Sequence, residues 1–282
     1  MLVRARPWLG TLVEIRVDAA TPAHAHVALE AAFAAIENVH RRLSFHDAAS
    51  ELSQLNRHAW QNEMQVSAIV ADVLRDALHL AEMTGGVFDP TLGGCLVEAG
   101  QLPRPYDCHD IDITANWRDV HIDDANRVRF QKPVWLDFGG IAKGYAVDQA
   151  IAALREHGAT RAVVNAGGDL AAMGDMEQTI AMRAADNSGR LVDIGRLRDG
   201  AAAGSACGID DTSGVVHFDG ANRNALRVAR AVTVFAPRCV WADALTKLVL
   251  RDPQSAQIHL GKFGAGACVL EADQGHAFGM AA

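Results

Sequence analysis

The sequence predicts an α+β fold in which a mostly antiparallel sheet is packed against helices. Predicted strands outnumber predicted helices and often follow one another directly along the chain. The 282 residues are 50% hydrophobic, which is enough to form a large core. No repeat, low-complexity tract or Gly/Ser-rich linker divides the chain. We therefore expect a single domain over residues 1–282, whose elements can form two interleaved lobes.

The first third of the chain predicts one strand and two helices. Apolar and polar residues alternate over Thr11 to Val17, as is typical of a half-buried strand. An N-cap and a proline at Thr21-Pro22 begin a long amphipathic helix that reaches Leu43. The second helix begins near Ser67 and ends at Gly85-Gly86.

The remaining strands and helices are predicted from shorter patterns. The predicted strands are Asp119 to Ile122, Arg127 to Phe130, Val134 to Phe138, Arg161 to Asn165, Thr179 to Arg183, Val215 to Phe218, Ala231 to Phe235 and Ala267 to Glu271. The first two flank four turn-forming residues and predict a hairpin. Helices are predicted at about Ala142 to His157 and Ala242 to Leu250.

Charge and hydropathy limit the classes of partner. The chain has 26 Lys+Arg and 34 Asp+Glu, a net charge of −8, which argues against a nucleic-acid binder. An anionic ligand would need a local positive site. The sequence contains no apolar stretch of about 18 residues, so it predicts no membrane-spanning helix. The start lacks an export signal, which predicts a cytoplasmic protein; a start truncated from a longer chain would allow a periplasmic one.

One segment, Leu136 to Asp148, combines groups that suit an anion. A carboxylate, Asp137, is followed by Gly139-Gly140 and by Lys143 in the first turn of a predicted helix. Backbone amides at a helix start, together with an ammonium group, suit a phosphate or pyrophosphate. A tight strand-to-helix turn with a solvated lysine explains the same spacing.

A second segment, Gly85 to Gly94, follows a helix directly. Its glycines and Phe88 could surround a flat ring, and Asp89 could accept a hydrogen bond. The alternative is an ordinary turn after a helix, with Phe88 in the core.

A third segment, Trp241 to Lys247, places Asp243 in the first turn of a predicted helix. An acid at that position usually compensates the helix dipole or caps the helix. A metal-binding role for Asp243 needs independent support. The common nucleotide-binding and hydrolase motifs are absent from the sequence.

Together these segments resemble the ApbE family of FAD:protein FMN transferases. The matching segments occur in the family's order: Leu9 to Thr11, Leu43 to His46, Ser50 to Asn56, Phe88 to Thr91, Leu136 to Asp148, Val164 to Leu170, Ala231 to Val234 and Ala242 to Leu245.

The resemblance implies a T-fold-like α+β domain that holds FAD in a cleft. It implies that a Thr or Ser hydroxyl of an acceptor flavoprotein attacks the FMN-side phosphorus of FAD, that AMP leaves, and that Mg²⁺ assists. A non-catalytic FAD-binding protein is one alternative. An FAD pyrophosphatase that yields FMN and AMP is another.

The resemblance also implies site residues. Asp243 and Lys143 are implied as catalytic. The implied FAD contacts are His46, Val87, Phe88, Asp89, Asp137, Lys143 and Lys247. The implied metal ligands are the Gly140 carbonyl, Asp243 and Thr246. Lys247 occupies the position, four residues after the Asp, where the family commonly has a Thr ligand. A charged lysine cannot coordinate Mg²⁺. Its permanent positive charge near the diphosphate could, however, partly replace the metal.

Overall fold

A computed structural model of the chain describes residues 1–105, 107–183, 191–208, 216–271 and 274–279. The helices in these ranges are α1 (Pro22–Leu43), α2 (Glu51–His58), α3 (Ala68–Met83), α4 (Gly93–Glu98), α5 (Ala142–Glu156), α6 (Cys239–Arg251) and α7 (Pro253–Lys262). The strands are β1 (Leu2–Trp8), β2 (Thr11–Ala19), β3 (Met64–Gln65), β4 (Val120–Ile122), β5 (Arg127–Phe130), β6 (Ala159–Ala166), β7 (Asp169–Met173), β8 (Gln178–Arg183), β9 (Leu191–Leu197), β10 (Gly200–Cys207), β11 (Phe218–Asp219), β12 (Asn224–Ala225), β13 (Arg230–Ala236), β14 (Gly266–Glu271) and β15 (Gln274–Phe278).

The first of two compact units comprises residues 1–40, 143–210 and 227–282. Its main sheet has the order β1-β2-β6-β7-β10-β13-β14-β15, and every described pair in it is antiparallel. This sheet and its helices confirm the predicted α+β class. Val13, Ile15 and Val17 of β2 are fully buried, as their alternation predicts. Helix α6 contacts β7, β10 and β13.

The second unit comprises residues 41–142 and 211–226. It contains α2, α3, α4, a three-stranded sheet of order β3-β5-β4 and the β11-β12 pair. Ser67 caps α3, because its hydroxyl accepts a hydrogen bond from the Val70 amide. Val70 and Leu74 on the apolar face of α3 are fully buried, which confirms the predicted helix. The predicted hairpin is also confirmed as β4 and β5.

The predicted strand at Val134 to Phe138 is wrong. The backbone groups of this segment bond to the Asn56 side chain and to backbone groups outside any strand. The Leu136 amide and carbonyl bond to the Asn56 side-chain amide at 2.8 and 2.9 Å. The Asp137 amide donates to the Pro90 carbonyl at 2.8 Å, and the Trp135 carbonyl accepts from Gly93 at 3.1 Å. These bonds replace a strand partner.

The predicted strand at Val215 to Phe218 is largely wrong as well. Val215 lies outside the described residues, residues 216–217 are not in a strand, and β11 begins only at Phe218. Elements that the patterns did not predict include β1, α2, α4, β7, β9, β10, α7 and β15. Within the described ranges, no helix combines the length and apolar character that crossing a membrane requires.

Candidate active site

Four charged side chains meet in the first unit. Helix α5 supplies Lys143, the start of β7 supplies Asp169, and α6 supplies Asp243 and Lys247. We call these four residues the charged cluster. Lys143 and Lys247 are the two lysines that the family resemblance implies as FAD contacts.

Asp243 contacts both lysines of the charged cluster. Lys247 Nζ donates to Asp243 Oδ1 at 2.7 Å, and Lys143 Nζ lies 3.7 Å from Asp243 Oδ2. Lys143 Nζ also bonds to Asp169 Oδ2. The cluster therefore balances two carboxylates with two ammonium groups, and Lys143 is ion-paired while part of its side chain stays exposed.

Burial separates the two kinds of charge. The side chains of Asp169 and Asp243 are each 2% exposed, whereas those of Lys143 and Lys247 are 33% and 20% exposed. The carboxylates lie beneath and the lysines reach solvent. Because the Coulomb energy falls with distance, an ion that arrives from solvent interacts first with the lysines. This side of the cluster favours anions.

The charged groups shift one another's pKa values. Burial raises the pKa of Asp169 to about 6, and the nearby Asp243 charge adds to this effect. Burial also opposes the charge of Asp243, but Lys143 and Lys247 outweigh it and lower the pKa of that carboxyl. Burial acts against the charge of Lys143, yet Asp243 and Asp169 raise the pKa of the ammonium. Asp169 is thus the group most easily neutralised.

The start of α6 differs from the prediction. The helix begins at Cys239, so Asp243 lies beyond the first turn and does not cap it. The cap is Asp148 of α5, whose carboxylate accepts hydrogen bonds from the Cys239 and Val240 amides at 2.7 and 3.1 Å. The interpretation of Asp243 as a cap or dipole partner is therefore wrong.

A glycine lets α5 and α6 approach closely. A Cβ atom on Gly144 would lie 2.3 Å from the Cys239 carbonyl oxygen and 2.8 Å from the Val240 Cα. The Gly144 amide donates to Asp243 Oδ2 at 3.2 Å. The close approach thus brings the backbone beside Lys143 into contact with Asp243.

The predicted Mg²⁺ ligands of the first unit have their oxygens engaged. Asp243 Oδ1 accepts from Lys247, and Oδ2 accepts from Gly144. Thr246 Oγ1 donates to the Asp243 carbonyl at 2.6 Å and lies 3.1 Å from Ser205 Oγ. Mg²⁺ needs free oxygens in near-octahedral geometry, and a bound ammonium repels it. With these contacts in place, the Asp243 carboxylate does not form a suitable Mg²⁺ ligand.

No group of three or more His, Cys, Asp or Glu side chains able to hold a metal occurs in the part of the chain that the structure describes. The third predicted ligand, the Gly140 carbonyl, belongs to the second unit. It follows Asp137, whose Oδ2 accepts from the Gly139 amide at 3.0 Å. Asn56 fixes this segment through Leu136, as described above.

Asp89 lies at the centre of the second glycine-rich loop. Its Oδ1 accepts hydrogen bonds from the Thr91 amide and hydroxyl at 2.8 and 2.7 Å. Its buried Oδ2 has no hydrogen-bond partner among the described residues. The Trp117 amide and the Arg223 guanidinium, 3.7 Å away, favour the charge, but burial outweighs them and raises the pKa of Asp89.

Arg223 ties this loop to its surroundings. Its Nη2 donates to Thr91 Oγ1 at 2.8 Å and also to the Ala115 carbonyl. The residue itself has a φ of 59°, in the left-handed region that non-glycine residues rarely adopt. The arrangement holds a guanidinium beside a carboxylate that is otherwise poorly compensated.

The other predicted FAD contacts lie in the second unit with differing exposure. Phe88 is buried, with 6% exposed. Val87 is half-buried, and its carbonyl accepts from the Gly220 amide at 3.1 Å. Asp137 is half-buried and His46 is exposed.

The sequence interpretation did not assign three residues that organise these sites. Asp169 follows Gly167-Gly168, which joins β6 to β7 with positive φ angles of 65° and 105°. A Gly-Gly pair between two strands is a hairpin signal that could have placed Asp169 at a fixed position. Asp148 and Arg223 had no such signal, because their partners are distant in sequence.

Comparison with known proteins supports one family. A sequence model described as the ApbE family matches residues 9–262. An FAD:protein FMN transferase of Treponema pallidum is 28% identical over 275 residues, which cover 86% of this chain and 76% of that protein. The corresponding Haemophilus influenzae protein is 28% identical over 168 residues, covering 55% of this chain and 48% of that protein.

Solved structures agree at the level of the fold. The crystal structure of the ApbE protein of Thermotoga maritima superposes with a TM-score of 0.83 at 24% identity, covering 98% of this chain and 96% of that one. The flavin transferase ApbE of Vibrio cholerae superposes with a TM-score of 0.81 at 23% identity, again over 98% and 96%. Since the family model spans most of its length, the chain belongs to the ApbE family.

Proposed function

We propose that this chain is an enzyme that transfers the FMN part of FAD to a Thr or Ser hydroxyl of an acceptor flavoprotein. The acceptor oxygen forms a bond to the FMN-side phosphorus, the bond from that phosphorus to the bridging oxygen breaks, and AMP leaves with that oxygen. The hydroxyl proton is released. The names of the relatives, FAD:protein FMN transferase, support the reaction type.

The observation that carries the proposal is the charged cluster. Its two lysines reach solvent above buried carboxylates, so it presents positive charge to an anion in a chain whose net charge is −8. In the proposed reaction, Lys143 and Lys247 bind the diphosphate of FAD. They also stabilise the negative charge that develops on the leaving AMP. Asp243 positions both ammonium groups.

The other FAD contacts remain as the family resemblance implies them. We keep Val87, Phe88 and Asp89 as flavin contacts, Asp137 as an adenylate or ribityl contact and His46 as a further contact. Asp89 Oδ2 supports this assignment, because a buried carboxylate oxygen without a hydrogen-bond partner is costly and a ligand N–H or O–H would supply one.

Magnesium is the one implied component that the residues do not favour. The implied ligands are Gly140, Asp243 and Thr246, but the oxygens of Asp243 are engaged by Lys247 and Gly144. We therefore assign no step of the reaction to a metal ion.

The test is incubation of the purified chain with FAD and an acceptor flavoprotein that was expressed without flavin. We expect the acceptor to gain covalent FMN, seen by mass spectrometry, with one AMP released per acceptor. AMP and free FMN without any acceptor would instead identify an FAD pyrophosphatase. Bound FAD with no AMP under any condition would identify a non-catalytic FAD-binding protein.

A further inference from the structure

The Asp243 carboxylate already pairs with a cation, the ammonium group of Lys247 in the same chain. Lys247 Nζ lies 2.7 Å from Asp243 Oδ1 and 3.2 Å from the main-chain oxygen of the same residue. The two residues lie one helical turn apart on α6, so the ammonium reaches both oxygens without distortion of the helix. It uses oxygens that Asp243 would otherwise offer to a metal ion.

The second oxygen of the carboxylate, Oδ2, also contacts N–H groups of the chain itself. Asp243 Oδ2 accepts from the Gly144 amide at 3.2 Å and lies 3.7 Å from Lys143 Nζ. The carboxylate thus accepts two N–H groups and lies beside a second ammonium group, so an incoming divalent ion would meet two positive charges at Asp243.

Access to Asp243 is limited as well. The Asp243 side chain is 2% exposed, and the Lys247 side chain, 20% exposed, reaches further toward solvent. A divalent cation would have to displace an ammonium group and then remain close to it, at a large electrostatic cost. A diphosphate meets the ammonium groups directly.

We propose that Lys247 replaces a divalent metal ion at Asp243. With Lys143 it supplies the positive charge that holds the diphosphate, so the chain needs no divalent ion there. The identity of the diphosphate rests on the proposed function, whereas the statement about Asp243 does not. The experiment therefore has one arm without FAD and one arm with it.

The first arm measures Mn²⁺ binding to the full chain by the loss of the free-ion electron paramagnetic resonance signal. We expect Lys247→Thr to bind Mn²⁺ about tenfold or more tightly than the unchanged chain, because a like charge beside Asp243 is removed. Adding Asp243→Asn to that variant should abolish the gain in Mn²⁺ affinity. Lys262→Thr, on the exposed end of α7, is the matched control and should change nothing.

The proposal is overturned if the unchanged chain binds Mn²⁺ as tightly as Lys247→Thr and loses that binding in Asp243→Asn. It is also overturned if Lys247→Thr, shown to be folded by circular dichroism, binds Mn²⁺ no better than the unchanged chain.

The second arm measures FAD affinity by flavin fluorescence in EDTA and in Mg²⁺. We expect the unchanged chain to bind FAD equally in both, and Lys247→Thr to bind about tenfold or more weakly in EDTA, since a charged hydrogen bond is lost. Mg²⁺ should restore part of the loss. If the unchanged chain binds FAD only with Mg²⁺, the proposal about Lys247 fails. If it binds no FAD in either buffer, the proposed function fails, and the Mn²⁺ arm alone decides the role of Lys247.

Discussion

The Asp148 carboxylate accepts a hydrogen bond from the Cys239 amide at 2.7 Å, and this bond joins α5 to the first turn of α6. Asp148 lies five residues after Lys143, and Cys239 lies four residues before Asp243. The bond therefore fixes the relative position of the two helices that bring Lys143, Asp243 and Lys247 together.

Replacing Asp148 tests this link. We expect Asp148→Ala to lower the free energy of unfolding by about 1–3 kcal/mol, because two helix-start amides lose their acceptor in a largely buried place. Asp148→Asn, which keeps one acceptor oxygen, should lose less. The matched control is Asp252→Ala, which removes the side-chain cap of α7. Urea denaturation measures all three, and an Asp148→Ala chain as stable as the unchanged one would contradict the link.

The contact between Gly144 and Cys239 makes a second prediction. An added methyl group at Gly144 would lie 2.3 Å from the Cys239 carbonyl oxygen, so Gly144→Ala should destabilise by about 1–3 kcal/mol. Gly261 of α7 has open space around it, and Gly261→Ala should stabilise by up to about 1 kcal/mol through helix propensity. Thermal unfolding of both variants gives the comparison, and equal effects of the two substitutions would show that α5 and α6 are not in close contact.

The Lys143–Asp169 pair allows a double-mutant test. Lys143→Met should cost about 1–3 kcal/mol, because it leaves the buried Asp169 carboxylate without its cation. Lys143→Met with Asp169→Asn should recover part of that stability, because the uncompensated charge is gone. Asp169→Asn is measured alone as well, and a double variant that loses the sum of the two single losses would show that the pair is not coupled.

The same variants predict a pH dependence. The pKa of Asp169 is raised by burial to about 6 in the folded chain, above the ordinary value of 3.8. The folded state then binds more protons than the unfolded state between these values, so this group favours folding more as pH falls through that window. We expect the stability difference between Lys143→Met and the double variant to shrink between pH 7 and pH 5. Urea titrations at the two pH values measure it, and a constant difference would argue against a raised pKa.

The contacts of Arg223 predict that this residue stabilises the second unit. Arg223→Met removes the hydrogen bonds to Thr91 and Ala115 and the cation near Asp89, so we expect a loss of about 1–3 kcal/mol. FAD affinity should fall as well, if Asp89 contacts the flavin as proposed. Arg198→Met is the control, because Arg198 is 60% exposed and its ion pairs should contribute little. Equal losses in the two variants would remove the reason to connect Arg223 with Asp89.

Local patterns predicted the long helices well and the charged cluster only in part. The N-cap at Ser67 and the apolar spacing after it lie within one segment, so α3 could be predicted from that segment alone. Asp243 was placed in a first turn because its local context resembles one. The true cap, Asp148, lies 91 residues before Cys239, and no local pattern contains it.

The wrong strand at Val134 to Phe138 has a related cause. Its apolar residues are buried, as in a strand, but Asn56 supplies the hydrogen bonds from 80 residues away. Strand β10 shows the converse case, a true strand whose local sequence does not indicate one. Its sequence from Gly200 to Cys207 is rich in Ala and Gly and lacks the alternation that indicates a strand, although it pairs with β7 and β13 in the sheet.

The most direct test of the proposed function is single-turnover transfer in the presence of EDTA. The unchanged chain, FAD and a flavin-free acceptor should yield covalently flavinylated acceptor and an equal amount of AMP. Lys143→Met and Lys247→Met should reduce the rate at least about tenfold, because each removes one ammonium group from the diphosphate. Absence of both products with EDTA and with Mg²⁺, from a chain that is folded, would contradict the account.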